Sequence, residues 1–258
     1  MKGLLKKKII DFAASIAIEK CGITEHNGKS AVVCLFPYFS GFREGNLSLY
    51  THSLDYHKII AEKLSCISSF IKSIAPECKT ECFCDTGPKV DRLLAYRAGL
   101  GFYGKNGMLI NSEYGSFFFI GYVLCDLDLT PDSPVENECI GCGKCFEACP
   151  GKALSEHGFD ISKCASHISQ KKGILTKEEE DILKKSGLAF GCDACQKVCP
   201  HNKKVDFAME DFTKNLMPEI NLQDIKKLSN RQFMEKYGNR AFSWRGKNLI
   251  QRNLELLD

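Results

Sequence analysis

Cys139, Cys142, Cys145 and Cys149-Pro150 stand in the pattern C-x2-C-x2-C-x3-C-P, and no other feature constrains the chain as tightly. In runs of this kind three thiolates hold one 4Fe-4S cluster while the fourth reaches a second cluster, so the motif predicts a partner downstream. GCDACQKVCP supplies it as Cys192, Cys195 and Cys199-Pro200, and the simplest remaining ligand is Cys164 of FDISKCASHIS. Crossing the fourth ligands assigns Cys139, Cys142, Cys145 and Cys199 to one cluster, and Cys149, Cys164, Cys192 and Cys195 to the other. Paired C-x2-C motifs also suit tetrahedral zinc, but two C-x3-C-P endings favour clusters.

The other seven of the fifteen cysteines do not imply a disulfide scaffold, because a chain of 258 residues with 44% hydrophobic content can fill a core without staples. Reduced or metal-bound thiols, and with them a cytoplasmic location, are expected. The basic N-terminus MKGLLKKKIIDFAASIAIEKCGI is interrupted by Asp11 and Glu19 and reads as an amphipathic helix rather than a leader. No stretch reaches the roughly 18 to 20 apolar residues of a membrane span, so no membrane partner is expected. A net charge of +3 neither demands nor excludes RNA.

Ahead of the cysteines, SAVVCLFPYF (30–39) reads as a buried strand and the stretch 52–74 as a helix. KTECFCD, ending at Asp85, reads as a strand and KVDRLLAYRAG as a helix. MLINSEYGSFFFIGYVLCDLDL reads as a pair of strands turning near Tyr114-Gly115. PDSPVEN (131–137) is expected to be a linker. The expected architecture is an α/β (α+β) front domain over residues 1–131, a ferredoxin-like two-cluster module over 132–206 and a short helical tail over 207–258.

Clusters deliver single electrons but do not choose a reaction, so the front domain has to make that choice. GLGFYG (99–104) matches G-x-G-x-x-G, yet it follows a helix and precedes a strand, the reverse of a dinucleotide fingerprint. Gly99 as a helix C-cap followed by a tight turn is one alternative, and close backbone approach to a flat cofactor is another.

DTGP, RAGLGFYGKN, the strand pair and GCDACQKVCP resemble the epoxyqueuosine reductase family, and the likeness runs from about VVCLFPY to WRGKNLIQRN. The resemblance implies a base-off cobalamin in the front domain, reduced by the two clusters. It also implies reductive removal of an epoxide oxygen from the wobble nucleoside of the tRNA anticodon loop, fed by an external donor such as flavodoxin or ferredoxin. Asp85 matches the family's general acid. A carboxylic acid can donate a proton at neutral pH only where it is shielded from water, so this role requires Asp85 to be buried. Otherwise Asp85, with Thr86 and Pro88, would simply cap the helix that follows.

By the same resemblance Asp55, Tyr56 and His57 lie near the active site, while Arg97, Lys105 and Asn106 could hold the amide and phosphate periphery of the corrinoid. Surface packing, an ion pair or a turn is the ordinary alternative for each. Cys82 and Cys84 alternate on the strand before Asp85, where they are expected to face one side as small hydrophobes.

Full-length members continue into helical repeats that hold tRNA, beginning where this chain ends at Asp258. Arg240, Arg245, Lys247 and Arg252 could contact phosphate, or form a solvated basic face. A monomer is expected. Another corrinoid-dependent reductase of a small epoxide or halide, and a plain electron carrier, are the alternatives; a two-cluster carrier needs only about 70 residues around its ligands, far fewer than are present.

Overall fold

The structure is a computed structural model that describes residues 2–85, 87 and 90–258. Helix α1 (Lys2–Ser15) leads into strands β1 (Cys21–His26) and β2 (Lys29–Pro37), then helix α2 (Tyr56–Ile74), strand β3 (Thr80–Phe83) and helix α3 (Asp91–Arg97). A small ribbon of β4 (Phe102–Tyr103) and β5 (Leu109–Ile110) precedes the long strand β6 (Phe118–Cys125). The main sheet has the order β1-β2-β6-β3 with every neighbour antiparallel.

β2 is buried from Ser30 to Pro37, because helices cover both faces of the sheet. Val32, Cys34 and Phe36 pack with Ile60, Leu64 and Ile67 of α2, whereas the alternate residues Ala31, Val33 and Leu35 pack with Leu94 and Ala95 of α3. The near-continuous apolar run of β2 therefore reflects a strand sandwiched in a three-layer stack. Asp55 caps α2 by accepting a hydrogen bond from the backbone N–H of His57, so the helix starts at Tyr56 rather than at His52.

Two further expectations are corrected. Residues 21–23, read as the end of the first helical stretch, belong to strand β1. The strands over 108–129 turn near Tyr114-Gly115 but do not pair with each other: β5 pairs with β4, and β6 joins the main sheet between β2 and β3. The stretch 131–137 carries no regular element, as expected of a linker, and is tied to the front layer, since the Asp132 carboxylate accepts from the Ile23 N–H at 2.8 Å and pairs with Lys6.

Beyond it come α4 (Lys144–Glu147), a two-stranded ribbon of β7 (Leu154–Ser155) and β8 (Gly158–Phe159), α5 (Ala165–Ser169), α6 (Lys177–Ser186) and α7 (Ala194–Lys197). The tail holds α8 (Leu222–Lys227), α9 (Asn230–Tyr237) and α10 (Lys247–Leu257). Its core interleaves Leu47 of the front layer and Phe190 of the cysteine-rich segment with Phe233, Phe242 and Ile250 of the tail.

Candidate functional site

The two quartets read from spacing gather around two different cavities. Cys139, Cys142, Cys145 and Cys199 line a small surface recess with Lys105 and Asn106. Cys149, Cys164, Cys192 and Cys195 line a larger cavity of about 490 Å³ that also reaches Asp85. Cys164 joins despite its sequence distance because Gly151 lets the chain after Cys149 press on the Lys163 carbonyl: a Cβ at Gly151 would stand 2.1 Å from that oxygen. Mutual crowding of thiols shows in their acidity. Burial pushes Cys195 up to about 12 and Cys192 to about 11, and each is pushed further by Cys164 and Cys149. Four thiols converging on one cavity form a donor set suited to a bound cluster.

The recess of the first quartet is the more open one, with Cys142 exposed and Ile140 61% exposed beside it. Cys149 of the second quartet is buried. Asp193, between two ligands of the second quartet, is 1% exposed and accepts from the Ser48 hydroxyl at 2.5 Å and the Leu49 N–H at 2.9 Å, which locks that loop to the front layer.

Asp85 lies just past β3 at φ +54°, a left-handed conformation that is uncommon outside glycine and often marks functional loops. Its Oδ2 accepts from the Tyr56 hydroxyl at 2.5 Å. Burial, followed by the charge of Asp85, pushes the Tyr56 phenol far up, so it stays protonated and acts only as a donor. Asp85 itself is exposed, contrary to the requirement for burial, because it stands on the rim where three cavities meet. It does not cap α3, whose first residue is Asp91 and whose N-cap is Val90. Thr86 and Pro88 of the DTGP motif lie outside the described residues.

His57 and Asp55 form a pair of their own: Nδ1 of His57 lies 2.8 Å from Asp55 Oδ1, and the ring stacks on Tyr56 at 4.1 Å. The hydrogen bond to Asp55 holds the imidazole above its usual range; burial pushes the Asp55 carboxyl up, but its bonds with His57 outweigh that and hold it low. His57 reaches a cavity of about 440 Å³ shared with Asp85, Tyr50 and Trp244.

The expected corrinoid contacts divide. Lys105 is exposed at the recess of the first quartet, and Asn106 is buried and accepts from the Met108 N–H, a turn-forming role. Arg97 is exposed in the last turn of α3 and lines neither large cavity; Arg92, on another face of that helix, lines both. Cys82 and Cys84 share the α2 side of the sheet: Cys82 Sγ lies 3.6 Å from the Leu64 carbonyl, although the residue is exposed on the edge strand, and Cys84 is buried in the core beneath α2. Gly101 serves close backbone packing, since a Cβ there would lie 2.5 Å from the Ile110 carbonyl oxygen, and Gly99 at φ +71° follows the helix C-cap at Ala98.

Arg240 and Arg252 are spent internally. The first donates to the carbonyls of His52 and Asn215, the second to those of Lys171 and Gly173. Sequence reasoning passed over Arg92, Phe159 and the phenols of Tyr38 and Tyr50. Only Arg92, close behind DTGP, carried a signal that could have been used.

Two family models match. One, described as "4Fe-4S double cluster binding domain", covers residues 138–202; the other, described as "Epoxyqueuosine reductase QueG, DUF1730", covers residues 25–86. An epoxyqueuosine reductase of Staphylococcus aureus is 32% identical over 96% of this chain and 78% of its own length. The chain belongs to the epoxyqueuosine reductase family. A family member from Lactococcus garvieae is 38% identical over 84% of this chain, and the aligned part spans 62% of that relative; the chain spans about three fifths of the length of such curated relatives.

Two solved family structures align over 98% of this chain. One is an epoxyqueuosine reductase with an epoxyqueuosine-modified tRNA stem loop (TM-score 0.89, 31% identity, 80% of that chain). The other is the Bacillus subtilis enzyme with its catalytic aspartate loop swung out of the active site (TM-score 0.87, 30% identity, 81% of that chain). Among the described residues, no helix is long and apolar enough to cross a membrane.

Proposed function

We propose that this chain reduces the epoxide of epoxyqueuosine in tRNA to the alkene of queuosine, consuming two electrons and two protons and releasing water. The carrying observation is that Asp85 and the quartet of Cys149, Cys164, Cys192 and Cys195 wall the same cavity, so a proton source and an electron exit face one space. Cobalamin, when bound, would supply strongly reduced cobalt for cleaving the carbon–oxygen bond, with single electrons arriving from the clusters.

The residues present fit that group. The cavity of about 490 Å³ and a neighbouring one of about 840 Å³ share Asp85, Arg92, Met108, Phe118 and Phe159 as a common wall. Leu93, Tyr103 and Phe159, all large and exposed, give the larger cavity an apolar lining suited to a flat macrocycle. In the same cavity Asp91 Oδ1 is buried and, among the described residues, has no hydrogen-bond partner, so a small movement would offer it to a corrin amide. Arg92 donates to the Gly107 carbonyl and still has donors free for the periphery.

The chain's own chemistry centres on Asp85. With Oδ2 engaged by Tyr56, Oδ1 is the atom that carries the transferable proton to the departing epoxide oxygen. A filled cavity would cover Asp85 and shield it from water. His57, held by Asp55 in the adjoining cavity that Asp85 also lines, is placed to return a proton to that carboxyl. The open recess beside Ile140 is the place for an external donor such as flavodoxin or ferredoxin to meet a monomeric enzyme.

Anaerobic reconstitution with iron, sulfide and cobalamin followed by gel filtration, EPR and turnover of an epoxyqueuosine stem-loop RNA tests the reading. Asp85→Asn is expected to keep both cofactors and lose roughly 10²-fold or more in rate. Clusters without retained cobalamin would indicate an electron carrier. Retained cobalamin that reduces only small epoxides or halides would indicate a different corrinoid reductase.

A further inference from the structure

Trp244 is the only tryptophan of the chain, and it is 60% exposed on a short helical turn immediately before α10. An exposed indole on a soluble surface forfeits the burial that usually accounts for the residue, unless a ligand covers it. Its position is specific: it closes one side of the cavity of about 440 Å³ that contains Asp85, Tyr56 and His57. The Arg245 guanidinium carbon lies 3.7 Å from the centroid of the indole ring, so one face is already taken by a cation and the other is free. Arg245 Nε is buried and, among the described residues, has no hydrogen-bond partner, although the residue as a whole is only half-buried. A flat aromatic surface, a cation stacked behind it and an unsatisfied donor beside it together match a nucleotide: base for the ring, phosphate oxygen for the guanidinium.

We propose that Trp244 and Arg245 form a nucleotide subsite at the mouth of the Asp85 cavity, where Trp244 stacks the base next to the wobble nucleoside and Arg245 binds a phosphate of the same strand. This rests on the reading that RNA presents its wobble nucleoside to Asp85. With one nucleoside turned into the cavity, its neighbour loses a stacking partner, and the free face of Trp244 replaces it. The pair therefore acts as a positioning device that favours single-stranded loop over paired RNA, and it needs no base-edge hydrogen bonds.

The test uses the cluster- and cobalamin-loaded full chain, with 5′-labelled anticodon stem-loop RNA followed by fluorescence anisotropy. Trp244→Ala is expected to weaken binding about 5- to 150-fold and Trp244→Phe only a few-fold, the range a lost base stack implies. An abasic site immediately before or after the wobble position should weaken the parent by a similar factor and leave Trp244→Ala unaffected at one of the two positions. Arg245→Ala should lower the slope of log K against log salt by about one, an effect that loss of a structural contact would not produce.

Separate assay of turnover keeps the two readings distinguishable. If the parent reduces the epoxyqueuosine stem-loop but Trp244→Ala binds and turns over normally, the subsite is wrong and the proposed function stands. If the parent neither binds nor reduces the RNA, both fall. Equal losses from both abasic sites in parent and Trp244→Ala alike would also overturn the stacking assignment.

Discussion

Replacing Asn202 with alanine should loosen the whole junction between the front layer and the cluster-bearing segment. Asn202 is 4% exposed, and its side chain makes three hydrogen bonds: Oδ1 accepts from the Ser116 N–H at 2.8 Å, and Nδ2 donates to Ser116 Oγ at 2.9 Å and to the Gln196 carbonyl at 2.8 Å. Alanine strands the Ser116 N–H, while the Gln196 carbonyl keeps its bond from the Cys199 N–H at 3.2 Å and Ser116 Oγ keeps its bond from Gln196 Nε2 at 3.1 Å. One orphaned buried group gives a loss of about 1–3 kcal/mol, or roughly 2–12 °C in Tm for a domain of this size. Because Asn202 stands three residues after Cys199, the Cys199 cluster should also become more labile to chelators. The assay is thermal unfolding of the cluster-loaded protein together with the rate of iron release to a chelator. Asn202→Asp, which keeps the acceptor for Ser116 and loses the two donations, should fall between parent and alanine. A Tm change below about 2 °C for Asn202→Ala would refute the reasoning, since it would mean that water satisfies the Ser116 N–H at no cost.

Other perturbations separate roles that the geometry assigns. Cys164→Ser should lower iron and acid-labile sulfide to roughly half of the parent's while leaving the other cluster's EPR signal; unchanged iron content would remove Cys164 from the ligand set. The Asp55–His57 pair carries a pH signature, because the folded His57 pKa is raised. Its contribution is fully present below the unfolded value of about 6.5 and is lost as pH rises through the folded value, so the Tm gap between parent and His57→Gln should shrink as pH is raised above about 6.5. A gap that stays constant over that range would deny the pairing. Arg252→Ala should destabilise the fold by removing donors to the Lys171 and Gly173 carbonyls, yet leave the salt dependence of RNA binding unchanged; a reduced slope would return Arg252 to the phosphate-binding surface.

What the sequence revealed depended on how locally each feature is determined. The two cysteine quartets were legible because a cluster would impose short cysteine spacings, and counting led to Cys164, which lines the same cavity as Cys149, Cys192 and Cys195. The apolar runs of β2 and β6 were legible because both faces of those strands are covered. β1 was not: of CGITEH, Gly22, Ile23 and Thr24 are buried, too few to show a period, and only pairing with β2 makes it a strand. The phase of α3 also escaped, since a helix of seven residues leaves open whether Arg92 or Arg97 faces the cavity. The polar lock of Asn202, Gln196 and Ser116 has no sequence signature, because its members lie up to 86 positions apart.

That lock also explains why one short stretch governs both halves of the proposed reaction. Ser116 is held by Asn202 and Gln196 of the cluster-bearing segment, and two residues later Phe118 enters β6 and walls the large cavities. Gln196 in turn lines the cavity shared by Asp85 and the second quartet. Any shift of β6 along its register with β2 would therefore move the cavity wall and the thiol quartet together rather than apart. The spacing between the thiol quartet and Asp85 is fixed by the same contacts that fix the sheet, so in the proposed reaction the electron exit and the reacting centre keep one geometry. Changes that leave β6 registered but break the lock, as Asn202→Ala does, should damage cluster retention before they damage cobalamin binding.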